Sequence, residues 1–314
     1  MIRVPQDVAG IQAAIDAAQS GDTVLVSPGT YGGGLVIGGK AVTLASRYIQ
    51  TGNPDDIART TLDGGNPILT IQASAGAATT VRGLMFRNGS YQLVNHARRV
   101  RILNNRFIDG SDQVSFEGAG GLVRDCFFDN AGDDAIDCDD ASDPTIENNT
   151  ILNAGDDGIE IRLHDVTGPT LQIIVRDNLI SGCGEDGIQL IDYPGASSRA
   201  FRIEGNVIAN NAMVGLGCMA NGVTVEDFAG APLVEPVQVV GNTFSGNPLW
   251  SHGRGPDVVD EQHLPRRSSS RGEARRRLVP GDIQRLLEQR NGRHDVERRR
   301  RQDLAPEPAP GREL

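Results

Sequence analysis

The chain has 314 residues, enough for one large domain or two ordinary ones, with 39 Gly, 16 Pro, 4% aromatic residues and a formal net charge of −11. No apolar run is long enough for a membrane helix, the opening MIRVPQDVAG lacks a signal-peptide core, and Cys126, Cys138, Cys183 and Cys218 have neither zinc-finger nor CxxC spacing. A spanning helix, a zinc module and a dithiol redox motif are thereby excluded, and the cysteines read as buried thiols.

The charge is unevenly spread. Residues 1–250 hold 15 Lys+Arg against 30 Asp+Glu, whereas residues 251–314 hold 15 Arg against 11 acids and no aromatic residue. Two kinds of polypeptide are joined near position 250.

The first predicted element is a helix. VAGIQAAIDAAQSG puts Val8, Ile11, Ile15 and Ala18 on one face and stops before Gly21. The strand-like DTVLVSPGTY and AVTLAS follow. From Leu103 a repeat takes over: LNNRFIDGSDQVSF, RDCFFDNAGDDAIDC, ENNTILNAGDDGIEI, RDNLISGCGEDGIQL, EGNVIANNAMVGLGC and VGNTFSGN share one frame, Asn-x-apolar, a polar turn, then apolar-x-apolar. Apolar positions alternate with period two over three to five residues, so the repeat unit is built of short strands and not helix.

One coil every 21 to 23 residues, lengthening to 28, 29 and 36 where insertions enter, is the pattern of a parallel β-solenoid. A single coil has no second layer to bury its apolar side against, and stacking coils about 4.8 Å apart supplies one. The column Asn105, Asn149, Asn178, Asn206, Asn242, broken by Cys126, is expected at a left-handed turn position with its amides bonding the next coil. The N-terminal helix is expected to cover the open end of the stack.

IQAAIDAAQSGDTVLVSPGTY followed by TTLDGG resembles the opening of right-handed parallel β-helix proteins of the pectin-lyase-like superfamily, and the resemblance covers roughly residues 3–247. It implies an all-β, right-handed parallel β-helix over 1–250 with an N-terminal capping helix. It also implies a secreted or surface-exposed protein that contacts polysaccharide along a lateral groove. It does not select a reaction.

Three columns of the repeat carry acids. Ser111, Asp133, Asp156 and Glu185 form the first. Asp112, Asp134, Asp157 and Asp186 form the second, and Ser115, Asp137, Glu160 and Gln189 lie three positions further on. Column neighbours about 5 Å apart repel by roughly 1–3 kcal/mol per pair, so something must offset the charge. Turn chemistry is one reading, since Asp accepts bonds from nearby backbone N–H groups. Calcium is a second, with Asp112, Asp134, Asp157, Asp186, Asp137 and Glu160 as oxygen ligands and Asp139, Asp140 and Asp143 close by.

Catalysis is a third reading. GDDAI at Gly132–Ile136 and GDDGI at Gly155–Ile159 resemble the aspartate-pair motif of polygalacturonases, which implies Asp133 and Asp134, or Asp156 and Asp157, as the acids. The Asn-Thr-Asp, Gly-His-Gly and Arg-Ile-Lys phrases of that family are absent. A lyase or epimerase acting on uronate-rich polymers instead needs a base, for which Arg162 and His164 share strand parity. A binding or structural module outranks these enzymes.

The Arg-rich stretch 251–314 is expected to be a disordered tail that does not bind nucleic acid. Read one base out of frame, residues 257–264 and 281–292 permit further Asn-x-apolar coils. A frameshift near 250–256 is therefore the expected origin of the tail.

Overall fold

The computed structural model describes residues 1–193, 197–220 and 235–251. The expected tail lies outside the described residues. The rest forms a parallel β-helix of three long sheets, one of ten strands and two of nine, with consecutive strands of a sheet coming from successive coils and all described pairings parallel. A typical coil runs through Val100–Leu103, Arg106–Ile108 and Asp112–Glu117, one strand in each sheet.

The strands are short because each coil turns three times. Their inward residues stack with their own equivalents one coil away. Phe86, Phe107 and Phe128 form such a column, with ring centroids 4.8 and 4.9 Å apart and nearly parallel planes. Ile151, Ile180 and Ile208 continue it in register. All six are fully buried, and each offset-stacked aromatic pair adds about 0.5–1.5 kcal/mol to its area burial. The four cysteines are buried and none is in a disulfide, as expected of plain thiols.

The N-terminal helix, Ile11–Ala17, buries Ile11, Ala14 and Ile15 against the first coils. Lys40, the only lysine of the chain, closes the C-terminal end of this helix. Its ammonium donates to the carbonyls of Ile15, Asp16 and Ala18 at 3.0, 2.9 and 2.9 Å, where the helix dipole favours a cation.

The asparagine column differs from the expectation in one respect. Its members are buried in ordinary conformation, and the left-handed residue is the one before each: Asn104, Asp125, Asn148, Asp177, Gly205 and Gly241, with φ between 54° and 64°. The preceding residue reverses the chain, and this turns the next side chain inward. Asn178 then accepts the N–H of Asn149 at 2.9 Å through Oδ1 and donates to the carbonyl of Ile146 at 2.9 Å. Asn149, Asn206 and Asn242 repeat the pattern. A second, shorter stack of Asn211 and Asn247 caps another turn.

Candidate functional site: an acidic sheet face

One nine-stranded sheet carries the acids on its outer face. Its central strands are Tyr91–Asn95, Asp112–Glu117, Ile136–Asp139, Ile159–Leu163 and Ile188–Asp192. Val114, Phe116, Ile136, Cys138, Ile159, Ile161, Ile188 and Leu190 alternate inward and are buried. Strand parity sends the residues between them outward. In register, Ser115, Asp137, Glu160 and Gln189 make one outward column. Glu117 pairs with Asp139, and Arg162 with Ile191, in the next. The first of these columns is outward yet no member is more than 7% exposed, so it lies on the floor of a recess.

The second aspartate column is a hydrogen-bond ladder at the edge of this face. Asp134 Oδ1 accepts the N–H of Asp157 at 2.9 Å, Asp157 Oδ1 that of Asp186 at 2.7 Å, and Asp186 Oδ1 that of Val214 at 2.8 Å. Asp112 makes the corresponding long contact to Asp134 N at 3.5 Å. The turn reading therefore accounts for this column. Asp133 and Asp156 of the first column stand exposed on the same turns. Partial burial, the proximity of the Asp133 carboxylate as an acceptor for protonated Asp156, and the charges of Glu185 and Asp133 raise Asp156 to about 6.

Beside the ladder, carboxylates converge. The ligand oxygens of Asp134, Asp137 and Glu160 lie within 4.8 Å of one another, as do those of Asp112, Asp133 and Asp134 and those of Glu117, Asp137 and Asp139. Burial first, and then like neighbours, pushes Asp137 up to about 8 and Asp134 to about 10. Burial raises Glu160 to about 7 against the pull of Arg162. Asp112 rises to about 6 through burial and the charge of Asp133.

Arg162 is the cation of the recess. It lies 2.5 Å from Glu160 Oε1, 3.3 Å from Asp139 Oδ1 and 3.5 Å from Asp137 Oδ1. Burial lowers its pKa, but Glu160, Asp137 and Asp139 outweigh this and raise it above the ordinary value. His164, just past the strand, accepts the N–H of Asp140 at its Nδ1, 3.1 Å away, and packs on Tyr193 with ring centroids 4.6 Å apart. The two residues expected to share a catalytic groove are thus held separately, one by carboxylates and the other by a turn and an aromatic ring.

Two buried polar atoms in the floor column have no hydrogen bond. One is Glu160 Oε1, which meets Arg162 at short range but outside hydrogen-bonding angles. The other is Nε2 of Gln189, the cross-strand neighbour of Glu160 and 1% exposed. Buried polar groups of this kind are costly unless something partners them. Carboxylate oxygens at this spacing fit a hard divalent cation such as Ca²⁺.

The expected ligand residues divide between two arrangements. Asp134, Asp137, Glu160 and Asp112 belong to the carboxylate groups. Among the described residues Asp157 and Asp186 belong to none, because their oxygens point at backbone N–H groups of the next coil. Sequence reasoning did not pick out Glu117 and did not assign Asp139 to a column. Both fall two residues beyond a named floor position, and parity alone marks them.

The profile of the right handed beta helix region family matches residues 69–192 and 166–263. No curated protein matches the sequence. Among solved structures, the catalytic domain of a GH87 alpha-1,3-glucanase in complex with nigerose is similar over 81% of this chain, with a TM-score of 0.50 and 14% identity, and this chain spans 57% of that domain. Pectate lyase Pel9A is similar over 79% of this chain and 71% of its own, with a TM-score of 0.49 and 12% identity. A family 28 exopolygalacturonase of Yersinia enterocolitica is similar over 79% of this chain and 63% of its own, with a TM-score of 0.39 and 14% identity. At these identities the likeness is one of fold.

Proposed function

The chain belongs to the right handed beta helix family, and from that premise we propose that it is an extracellular or cell-surface module that binds uronate-rich polysaccharide on its acidic sheet face through a bridging calcium ion. The observation that carries this reading is the group Asp134, Asp137 and Glu160, three buried carboxylates with ligand oxygens within 4.8 Å of one another. A face this acidic repels a polyanion, and a divalent cation reverses that repulsion while satisfying the buried oxygens. Asp134, Asp137 and Glu160 would hold the ion, with Asp112 and Asp133 adjacent. Extracellular modules hold Ca²⁺ with a Kd of about 10⁻⁴–10⁻³ M, and a partly protonated carboxylate set is suited to that range.

Three observations support binding over catalysis. An inverting hydrolase separates its two acids by about 6.5–9.5 Å to admit water, whereas Asp133 and Asp156 occupy the same position on adjacent coils, with the N–H of Asp156 donating to the carbonyl of Asp133 at 3.1 Å. A lyase or epimerase base must lose its proton, and the carboxylates around Arg162 hold its proton on. The single lysine is engaged at the N-terminal helix.

Affinity electrophoresis in gels containing polygalacturonate, alginate or a neutral glucan, with Ca²⁺ or with chelator, tests the proposal. Retardation by the uronate polymers only with Ca²⁺ is expected. Equal mobility in all gels overturns the binding reading. In parallel incubations, unsaturated products reveal a lyase and new reducing ends alone reveal a hydrolase.

A further inference from the structure

Two aromatic side chains stand at opposite rims of the acidic face. Tyr91 opens its strand, pairs in register with Asp112 and is 39% exposed, one of two large hydrophobic side chains that are exposed among the described residues. Tyr193 follows the strand four coils further on and packs on His164 at 4.6 Å with planes tilted by 49°. That second ring is held in place. His164 Nδ1 accepts the N–H of Asp140, and its carbonyl accepts from the buried Arg199 at 2.7 Å, while Arg199 also donates to the carbonyl of Asp140.

The register gives the geometry between them. Four coil steps amount to about 19 Å along the helix axis. Across the strands, Tyr91 shares the column of Asp112, and Glu117 lies five columns on, level with Asp139 and Arg162. Arg162 pairs with Ile191, and Tyr193 is two beyond that. Seven columns span at most about 23 Å. Asp137 and Glu160 sit three columns in, on the second and third coils after Tyr91. The carboxylate group therefore lies between the two rings along a line oblique to the strands.

We propose that Tyr91 and Tyr193 are the two sugar-stacking platforms of one extended track that crosses this face obliquely, with the carboxylate group at its middle. The proposal rests on the polysaccharide-binding reading above and adds where the chain lies. A pyranose ring presents an apolar C–H face, and tyrosine supplies a flat apolar surface at low entropic cost with a polar tip to spare. The span of up to about 30 Å means that only an oligosaccharide of several residues reaches both rings. A short one at the central carboxylates reaches one at most.

The probe is an oligogalacturonate series from dimer to polymer, titrated calorimetrically in Ca²⁺ against Tyr91→Ala, Tyr193→Ala, Tyr91→Phe and Tyr193→Phe. Each alanine variant is expected to weaken the polymer roughly tenfold. Each phenylalanine variant stays within about twofold, and the dimer is insensitive to at least one of the two alanines. Polymer affinity unchanged in both alanine variants overturns the track. If Glu160→Gln still abolishes binding in that case, the binding function itself stands. Phenylalanine variants as weak as the alanines overturn stacking in favour of the hydroxyl. No binding by the unaltered protein overturns both readings. Tyr91 is exposed, so its variant tests the track without disturbing the core, and unchanged melting confirms this.

Discussion

Asp134 Oδ1 accepts the backbone N–H of Asp157 at 2.9 Å, and that single bond separates the two meanings of the repeated Gly-Asp-Asp phrase. In each phrase the second aspartate faces the next coil and acts as a ladder rung. The first faces solvent. What gathers charge is neither of the two alone but the column three residues after the second, where Asp137 and Glu160 join Asp134 from the side.

If Asp157 is a rung, its shape matters more than its charge. Asp157→Asn keeps an oxygen to accept the N–H of Asp186 and removes a carboxyl whose charged form burial disfavours, so its melting temperature is expected to equal or exceed that of the parent at pH 8. Asp157→Ala leaves a buried N–H without an acceptor and is expected to cost about 1–3 kcal/mol. Denaturant melts of the two variants measure this, and equal destabilisation by both contradicts it.

Calcium at Asp134, Asp137 and Glu160 stabilises the fold by mass action, by about 2.7 kcal/mol at a hundredfold excess over Kd. Thermal melts are expected to rise with Ca²⁺ and fall back with chelator. Glu160→Gln should abolish the rise, whereas Asp157→Asn should leave it intact. A melting temperature indifferent to both Ca²⁺ and chelator removes calcium from the proposal.

The pH dependence follows from the raised carboxyls. Asp112 at about 6, Glu160 at about 7 and Asp137 at about 8 all lie above their ordinary values in the folded chain, so the native state binds more protons than the unfolded one. Their stabilising contribution is complete below about pH 4 and is lost as pH rises through 6 to 8. In chelator the protein is therefore expected to melt lower at pH 8 than at pH 5.5, with Ca²⁺ closing the gap. A melting temperature that climbs across this range in chelator rules the assignment out.

The repeat frame was legible because stacking forces equal residue types into equal positions. Ser115, Asp137, Glu160 and Gln189 align in the sequence and pair in the structure for that reason. Asn105 and its equivalents were assigned to the correct column but the wrong conformation. The left-handed residue is one earlier and varies among Asn, Asp and Gly, so no single residue type signals it. The direction of a side chain left no trace either. Asp157 and Asp137 are both buried acids in repeat columns, and only the fold shows that one points along the stack and the other into the recess.

Arg162 competes with any cation for Asp137 and Glu160, and this gives a prediction of opposite signs. Arg162→Ala removes the one positive charge that, among the described residues, pairs with Asp137, Asp139 and Glu160. In chelator at pH 8 the like charges are then uncompensated, and the melting temperature is expected to fall. Calcium affinity is expected to rise at least about fivefold, since even in water-like dielectric a unit charge about 4 Å away opposes a cation by about 1 kcal/mol. Arg162→Lys keeps the charge and should resemble the parent in both respects. Calorimetric Ca²⁺ titration together with melts in chelator reads both signs. Weaker calcium binding by Arg162→Ala would show instead that Arg162 holds the carboxylates in place for the ion.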